Sequence, residues 1–125
     1  MESIQDILSE IAHEIYDILG SGHTEAIYQH AFEAELRFRN IQYESQKVVP
    51  IIYKNHTIGY GFADIVINDD CETVEQIVME LKAISKLRPQ DQTQVLNYME
   101  MLDIKKGYLV NFGAANGVDS ITLVV

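Results

Sequence analysis

The sequence predicts a mixed α/β (α+β) fold with the element order α-α-β-β-β-α-β-β and helices packed on a mixed central sheet. Three observations lead there. Through residues 3–39, apolar side chains recur every three or four positions. The pattern then changes to runs rich in Val, Ile and Tyr, broken by turn residues. One more helical stretch separates the third of these runs from two further ones, and a helix between strands implies a mixed sheet. At 125 residues, 47% hydrophobic and 22% charged, the chain fits one domain over 1–125, with 1–19 as an additional N-terminal helix. A chain of this length buries roughly 65% of its unfolded surface.

Each element has its own signal. Ile4, Ile7, Leu8, Ile11, Ile15, Ile18 and Leu19 form one stripe of an amphipathic helix over about 3–19, with acids on its other face. Gly20-Ser21-Gly22 ends it. Thr24 caps a second helix, about 25–39, which carries Ile27, Tyr28, Ala31, Phe32 and Leu36 and stops at Asn40. Residues 42–53 read as a strand, and Pro50 restricts it to an edge or a bulge. Lys54-Asn55-His56 is a turn before a strand over 57–67, in which Gly59 and Gly61 signal a bend or a close backbone approach. Asn68-Asp69-Asp70 turns the chain into a third strand, 74–83, broken by Leu87-Arg88-Pro89. A helix over about 89–104 buries Val95, Tyr98, Met99 and Leu102, with Lys105 and Lys106 at its end. Strands over 107–112 and 121–125 finish the chain.

Charge and cysteine content exclude several classes. Nineteen acids against nine bases give −10, which argues against binding nucleic acid by bulk electrostatics. Eight of the acids and no Lys or Arg lie in residues 1–36, so contact with phosphate must come from later segments. A single cysteine, Cys71, excludes an internal disulfide and a Cys-rich zinc site, and the neighbouring Asp69 and Asp70 make it a poor nucleophile. No apolar run suits a membrane span and the N-terminus lacks a basic signal region, so the expectation is a soluble intracellular (cytoplasmic) protein with no membrane partner. The four histidines show no metal pair at helical spacing, and His23 reads as a surface residue.

The informative piece is the third strand. Alternation puts Ile77, Met79 and Leu81 on one face and Val78, Glu80 and Lys82 on the other. Charges seldom stand on such a strand without a partner. Asp64 interrupts the apolar run of the preceding strand, and a hairpin connection lets it sit beside Glu80. Two neighbouring carboxylates suit a hard divalent cation that keeps several waters, with Lys82 beside them to orient water and offset phosphate charge. A structural ion pair of Lys82 with Glu80 or Asp64 accounts for the same spacing equally well.

Asp64 followed by Glu80-Leu81-Lys82 resembles the signature of the PD-(D/E)XK nucleases. The chain from about residue 19 to 125 is similar to one branch of that superfamily, the GxxExxY proteins. The naming motif stands as Gly22-His23-Thr24-Glu25-Ala26-Ile27-Tyr28, with further matches at Gln46-Lys47-Val48, Gln94-Val95-Leu96-Asn97-Tyr98 and Gly107-Tyr108-Leu109-Val110-Asn111-Phe112. Ala63 replaces the usual proline before the aspartate, and Asn55 stands where relatives tend to have Gly. The resemblance implies a restriction-endonuclease-like core and phosphodiester hydrolysis with Mg²⁺ or Mn²⁺. It implies that Asp64, Glu80 and the Leu81 carbonyl hold the metal and that Lys82 positions the attacking water. Glu25 is implied near the metal or its waters, and Gln94 at the border of the site. Nucleic acid, DNA foremost, is the implied substrate. Small nucleases of this shape often act as dimers, so size and resemblance lead to the expectation of a homodimer.

Lys86 and Arg88 form a small basic cluster after the carboxylates, suited either to gripping a substrate phosphate or to an ordinary solvated loop. Tyr28 and Tyr98 read as core aromatics with a wet hydroxyl. Two other functions fit parts of the sequence. A non-catalytic interaction module on a nuclease-like fold could dock a protein partner through the amphipathic first helix. An acidic front that mimics nucleic acid could occupy a basic protein through Glu10, Glu14 and Asp17.

Overall fold

The computed structural model describes residues 2–68 and 76–125. Asp69, Asp70 and Cys71, to which the sequence assigns a turn and a poor nucleophile, lie outside the described residues. The elements follow the expected order: α1 (Ile4–Leu19), α2 (Glu25–Phe38), β1 (Tyr43–Tyr53), β2 (His56–Asn68), β3 (Gln76–Lys82), α3 (Pro89–Leu102), β4 (Lys106–Asn111) and β5 (Asp119–Val124). The strands form one mixed sheet in sequential order, β1-β2-β3-β4-β5. Only β3 and β4 run parallel, and α3 is the crossover that parallel neighbours require. This is a restriction-endonuclease-like arrangement. No helix among the described residues is long and apolar enough to cross a membrane.

Helices cover both faces of the sheet. On one face, α1 and α2 pack Leu8, Ile11, Ile15, Tyr28, Phe32 and Leu36 against Ile65, Ile67, Ile77, Met79, Leu81, Val110 and Phe112. On the other, Val95 and Met99 of α3 pack against Val49, Ala63, Val66, Val78 and Leu109. Each fully buried aliphatic or aromatic side chain contributes about 1.5–3 kcal/mol. Tyr28 stacks on Phe112 at 4.4 Å between ring centroids, and its hydroxyl donates to the Gly20 carbonyl at 2.6 Å. The group expected to be wet is thus satisfied by protein, and it ties α2 to the end of α1.

Local chemistry sets the boundaries. Ser3 and Asp6 form a reciprocal capping box at the start of α1, and Thr24 caps α2. Asn40 takes the left-handed conformation, with φ of 58°, where the sequence stops α2. Lys54 and Asn55 both take positive φ, as a two-residue hairpin turn requires. Pro50 does lie on an edge strand. The third helix ends two residues earlier than expected. Asp103 adopts left-handed geometry, and the Ile104 amide donates back to the Met99 carbonyl, burying Ile104. Lys105 and Lys106 therefore do not close the helix, and Lys106 opens β4. Ile18, placed in the core stripe by periodicity, is 75% exposed and lines an apolar groove of about 190 Å³ with Phe38. On the acidic front, the Arg39 guanidinium forms ion pairs with Glu10, Glu14 and Glu35, which neutralises part of the charge that nucleic-acid mimicry would use.

Candidate active site

Asp64 sits where the sheet opens on both sides. The β1–β2 ladder pairs Ser45 with Ile65 and Lys47 with Ala63 but skips Gln46 and Asp64. The β2–β3 ladder stops at Ile65 and Met79, one residue short of Asp64 and Glu80. The side-chain alternation of β2 slips at the same point. Ala63 packs on the α3 face and Ile65 on the opposite one, although strict alternation would put them together. Across the gap, Gln46 carries a φ of 48°. Side chains replace the missing ladder bonds. The Asp64 amide donates to Glu80 Oε1 at 3.2 Å, the Leu81 amide donates to Asp64 Oδ2 at 2.9 Å, and Gln29 Nε2 donates to the Asp64 carbonyl at 3.0 Å. Both carboxylates are therefore fixed by backbone groups that a closed sheet would have paired with itself.

Glu80 is 4% exposed, and burial pushes its carboxyl up to about 9, with the Asp64 charge adding to the rise and Lys82 opposing it. Near neutral pH Glu80 therefore keeps its proton. Lys82 forms no ion pair with either carboxylate among the described residues. The structural ion-pair account of Lys82 thus loses its contact. Lys82 lies on the α3 side, close enough to lower the Asp91 carboxyl through its charge.

The remaining sequence candidates are placed unequally. Gln94 is half-buried on α3 and donates to the Tyr98 hydroxyl at 3.4 Å. Glu25 stands exposed in the first turn of α2, and its charge is felt at Arg88. Lys86 is exposed in the loop after β3. Arg88 is already engaged: its guanidinium grips Asp91 through Nε at 3.1 Å and one terminal nitrogen at 2.9 Å, and its amide donates to the same carboxylate at 2.8 Å. That clasp starts α3 and holds Asp91 below the usual carboxylate range.

The donor set suits a hard divalent cation. Successive strand residues aim their polar groups at opposite neighbours. The Lys82 carbonyl accepts from the Phe112 amide on the β4 side, so the Leu81 carbonyl faces the β2 side, where the ladder is open. Two carboxylates and one carbonyl would leave the other positions to water, as Mg²⁺ prefers. No group of three or more His, Cys, Asp or Glu is gathered among the described residues.

A family model described as the PD-(D/E)XK nuclease superfamily matches residues 2–122. The chain belongs to that superfamily. Its backbone is also similar to the crystal structure of SSO0001, with a TM-score of 0.59 and 19% identity over 80% of this chain. The chain spans half the length of that protein. No curated protein matches. PD-(D/E)XK nucleases generally use divalent metal ions.

Within this PD-(D/E)XK domain, a set of polar groups that sequence reasoning did not single out for the site supports Asp64 and the loop beyond β3. Gln29, buried on α2, donates to Glu33 Oε2 at 2.9 Å as well as to Asp64, and accepts from Gln46 Nε2 at 3.0 Å. Ser45 donates to the same Glu33 oxygen at 3.0 Å. Gln46 Nε2 also reaches Asp64 Oδ1 at 3.4 Å. The available signal was positional, since Gln29 and Glu33 lie one turn apart beside the Tyr28–Phe32–Leu36 stripe. Asn111, fully buried at the end of β4, accepts from the Ile84 and Gly113 amides and donates to the Ile84 carbonyl at 2.7 Å. Gly113 is required there, because a Cβ would fall 2.5 Å from the Ile84 backbone nitrogen and oxygen. Gly61 meets the sequence expectation of a close approach, since its Cβ would fall 2.6 Å from the Tyr98 hydroxyl.

Proposed function

We propose that the chain is a divalent-metal-dependent nuclease of the GxxExxY branch, hydrolysing phosphodiester bonds of nucleic acid, DNA foremost. The observation that supports it best is the opening of both ladders at Asp64, which sets two carboxylates together with Glu80 buried. Asp64, Glu80 and the Leu81 carbonyl would hold Mg²⁺ or Mn²⁺. Such an ion, when bound, polarises a phosphoryl oxygen and acidifies water.

The protein's own residues then have distinct tasks. Asp64 and Glu80 would present two oxygens held in place by backbone amides. Lys82, free of an ion pair with either, orients the attacking water and offsets charge building on the phosphate. Gln94 and Glu25 flank the site, Gln94 from α3 and Glu25 from the start of α2. Lys86 is the exposed cation available to a substrate phosphate, whereas Arg88 contributes only by sharing its hold on Asp91.

The test incubates the purified chain with single- and double-stranded DNA and RNA in Mg²⁺, Mn²⁺ or chelator. Glu80→Ala and Lys82→Ala run alongside, with metal affinity measured by calorimetry. Metal-dependent cleavage lost in both folded variants is the expected result. Cleavage that survives Glu80→Ala would overturn the assigned site. Absence of both cleavage and metal binding would favour a non-catalytic interaction module.

A further inference from the structure

The distal half of the β1–β2 hairpin presents an apolar face that no other described residue covers. Val49, Ala63 and Ile51 turn toward α3. Alternation turns Val48, Pro50, Ile52, Ile58, Tyr60 and Phe62 the other way, beyond the reach of α2. Register sets Val48 directly opposite Phe62 and Pro50 opposite Tyr60, and the bulge at Ile51/Ile52 brings Ile58 into the same row. Apart from the half-buried Pro50, these side chains are between 44% and 66% exposed. Isolated exposed apolar residues are ordinary, but six in one contiguous patch are not.

We infer that this face is where a second copy of the chain packs, face to face about a two-fold axis. Three observations select that occupant. The first is charge. Residues 45–63 contain no acid, although the chain carries nineteen, so this is a surface on which two molecules of −10 can meet without opposing carboxylates. The second is area. Side chains of this size and exposure present on the order of 500 Å² of apolar surface, and two copies together reach the ~1,000 Å² at which a specific interface begins. The third is the manner of contact. Pro50 removes a donor from the middle of the free edge of β1, which blocks edge-to-edge strand pairing and leaves face packing as the way to bury the patch. Nucleic acid is the other occupant to consider. Four of the six side chains are aliphatic and offer no surface for base stacking, so the composition favours protein. The inference is independent of the nuclease reading.

The test is sedimentation equilibrium of the whole chain across protein and salt concentrations. A monomer–dimer equilibrium is expected in the micromolar range. It should tighten as salt screens the −10 charges, opposite to the salt response of nucleic-acid binding. Ile58→Lys with Tyr60→Glu should weaken it at least tenfold with an unchanged melting profile. Ile18→Lys, on the α1–α2 groove, should leave it intact. If the double variant fails to fold, Tyr60→Ser carries the same expectation, and concentration-dependent amide protection confined to residues 48–62 of the unmodified chain reads the contact directly. A single-chain mass at every concentration up to about 100 µM would overturn the inference, since a micromolar dimer would be largely formed there. A dimer untouched by the hairpin substitutions would also overturn it. So would a monomer whose oligonucleotide binding those substitutions abolish, which would assign the face to nucleic acid.

Discussion

From Ile65 to Ile67, β2 is paired on both sides and fully buried. One residue earlier, at Asp64, both ladders are open. The two stretches are neighbours in one strand, yet they solve the same problem differently. The closed stretch satisfies its backbone with backbone and leaves only side-chain packing to specify it. The open position satisfies its backbone with side chains from Gln29 and Glu80, and this fixes the oxygens of a site. The contrast teaches that the site is made by withholding regular pairing at one residue rather than by adding a loop or an insertion.

The largest test of that contrast replaces Glu80 with glutamine. The amide keeps the shape and the neutral charge of the resting carboxyl, so the sheet should stay folded, with an equal or higher melting temperature at pH 8. Mn²⁺ affinity should fall about a hundredfold or more, read by calorimetry, because the anionic ligand is gone. Next comes the support beyond β3. Gly113→Ala forces a methyl into the Ile84 backbone and should cost about 2–3 kcal/mol in denaturant unfolding. Gly59→Ala, with open space around it, should cost under about 1 kcal/mol.

Titration sharpens the comparison further. Glu80 in the folded protein keeps a proton to about pH 9 that the unfolded chain releases near 4.5. The folded state therefore binds more protons between those values, and metal-free stability should fall as pH rises through that window. A cation must displace the same proton, so metal affinity should rise by up to about tenfold per pH unit over the same range. Thermal melts and calorimetry between pH 5 and 9 check both slopes, and Glu80→Gln should flatten them. The smallest effect belongs to Gln46. Gln46→Gly removes its 3.4 Å contact with Asp64 and its 3.0 Å bond to Gln29 but relieves a strained positive φ, so losses and gain largely offset. Stability should change by less than about 1 kcal/mol, with metal affinity reduced only severalfold.

Much of this was legible in the sequence because it rests on local periodicity. The helices and strands follow from apolar spacing, and Asp64 and Glu80 stand out as charges inside apolar strands. What was not legible depends on contacts distant along the chain. Gln29 and Glu33 look like the solvated face of a helix until the gap at Asp64 gives them something to bind. Arg88 reads as a free cation until Asp91, one turn later, claims it. Ile18 satisfies the helical stripe but lies beyond the surface that α2 covers. The helix expected to run to 104 stops at Leu102, because burying Ile104 requires a left-handed residue that apolar spacing does not encode.

The amides of Asp64 and Leu81 donate to the same carboxylates that the proposed reaction would need. In the metal-free protein those oxygens act as stitches across a seam in the sheet. Any ligand that recruits them competes with the stitching, so occupancy of the site and closure of the seam are two readings of one balance. Hydrogen exchange at these two amides would then follow filling of the site directly, without a substrate and without a label.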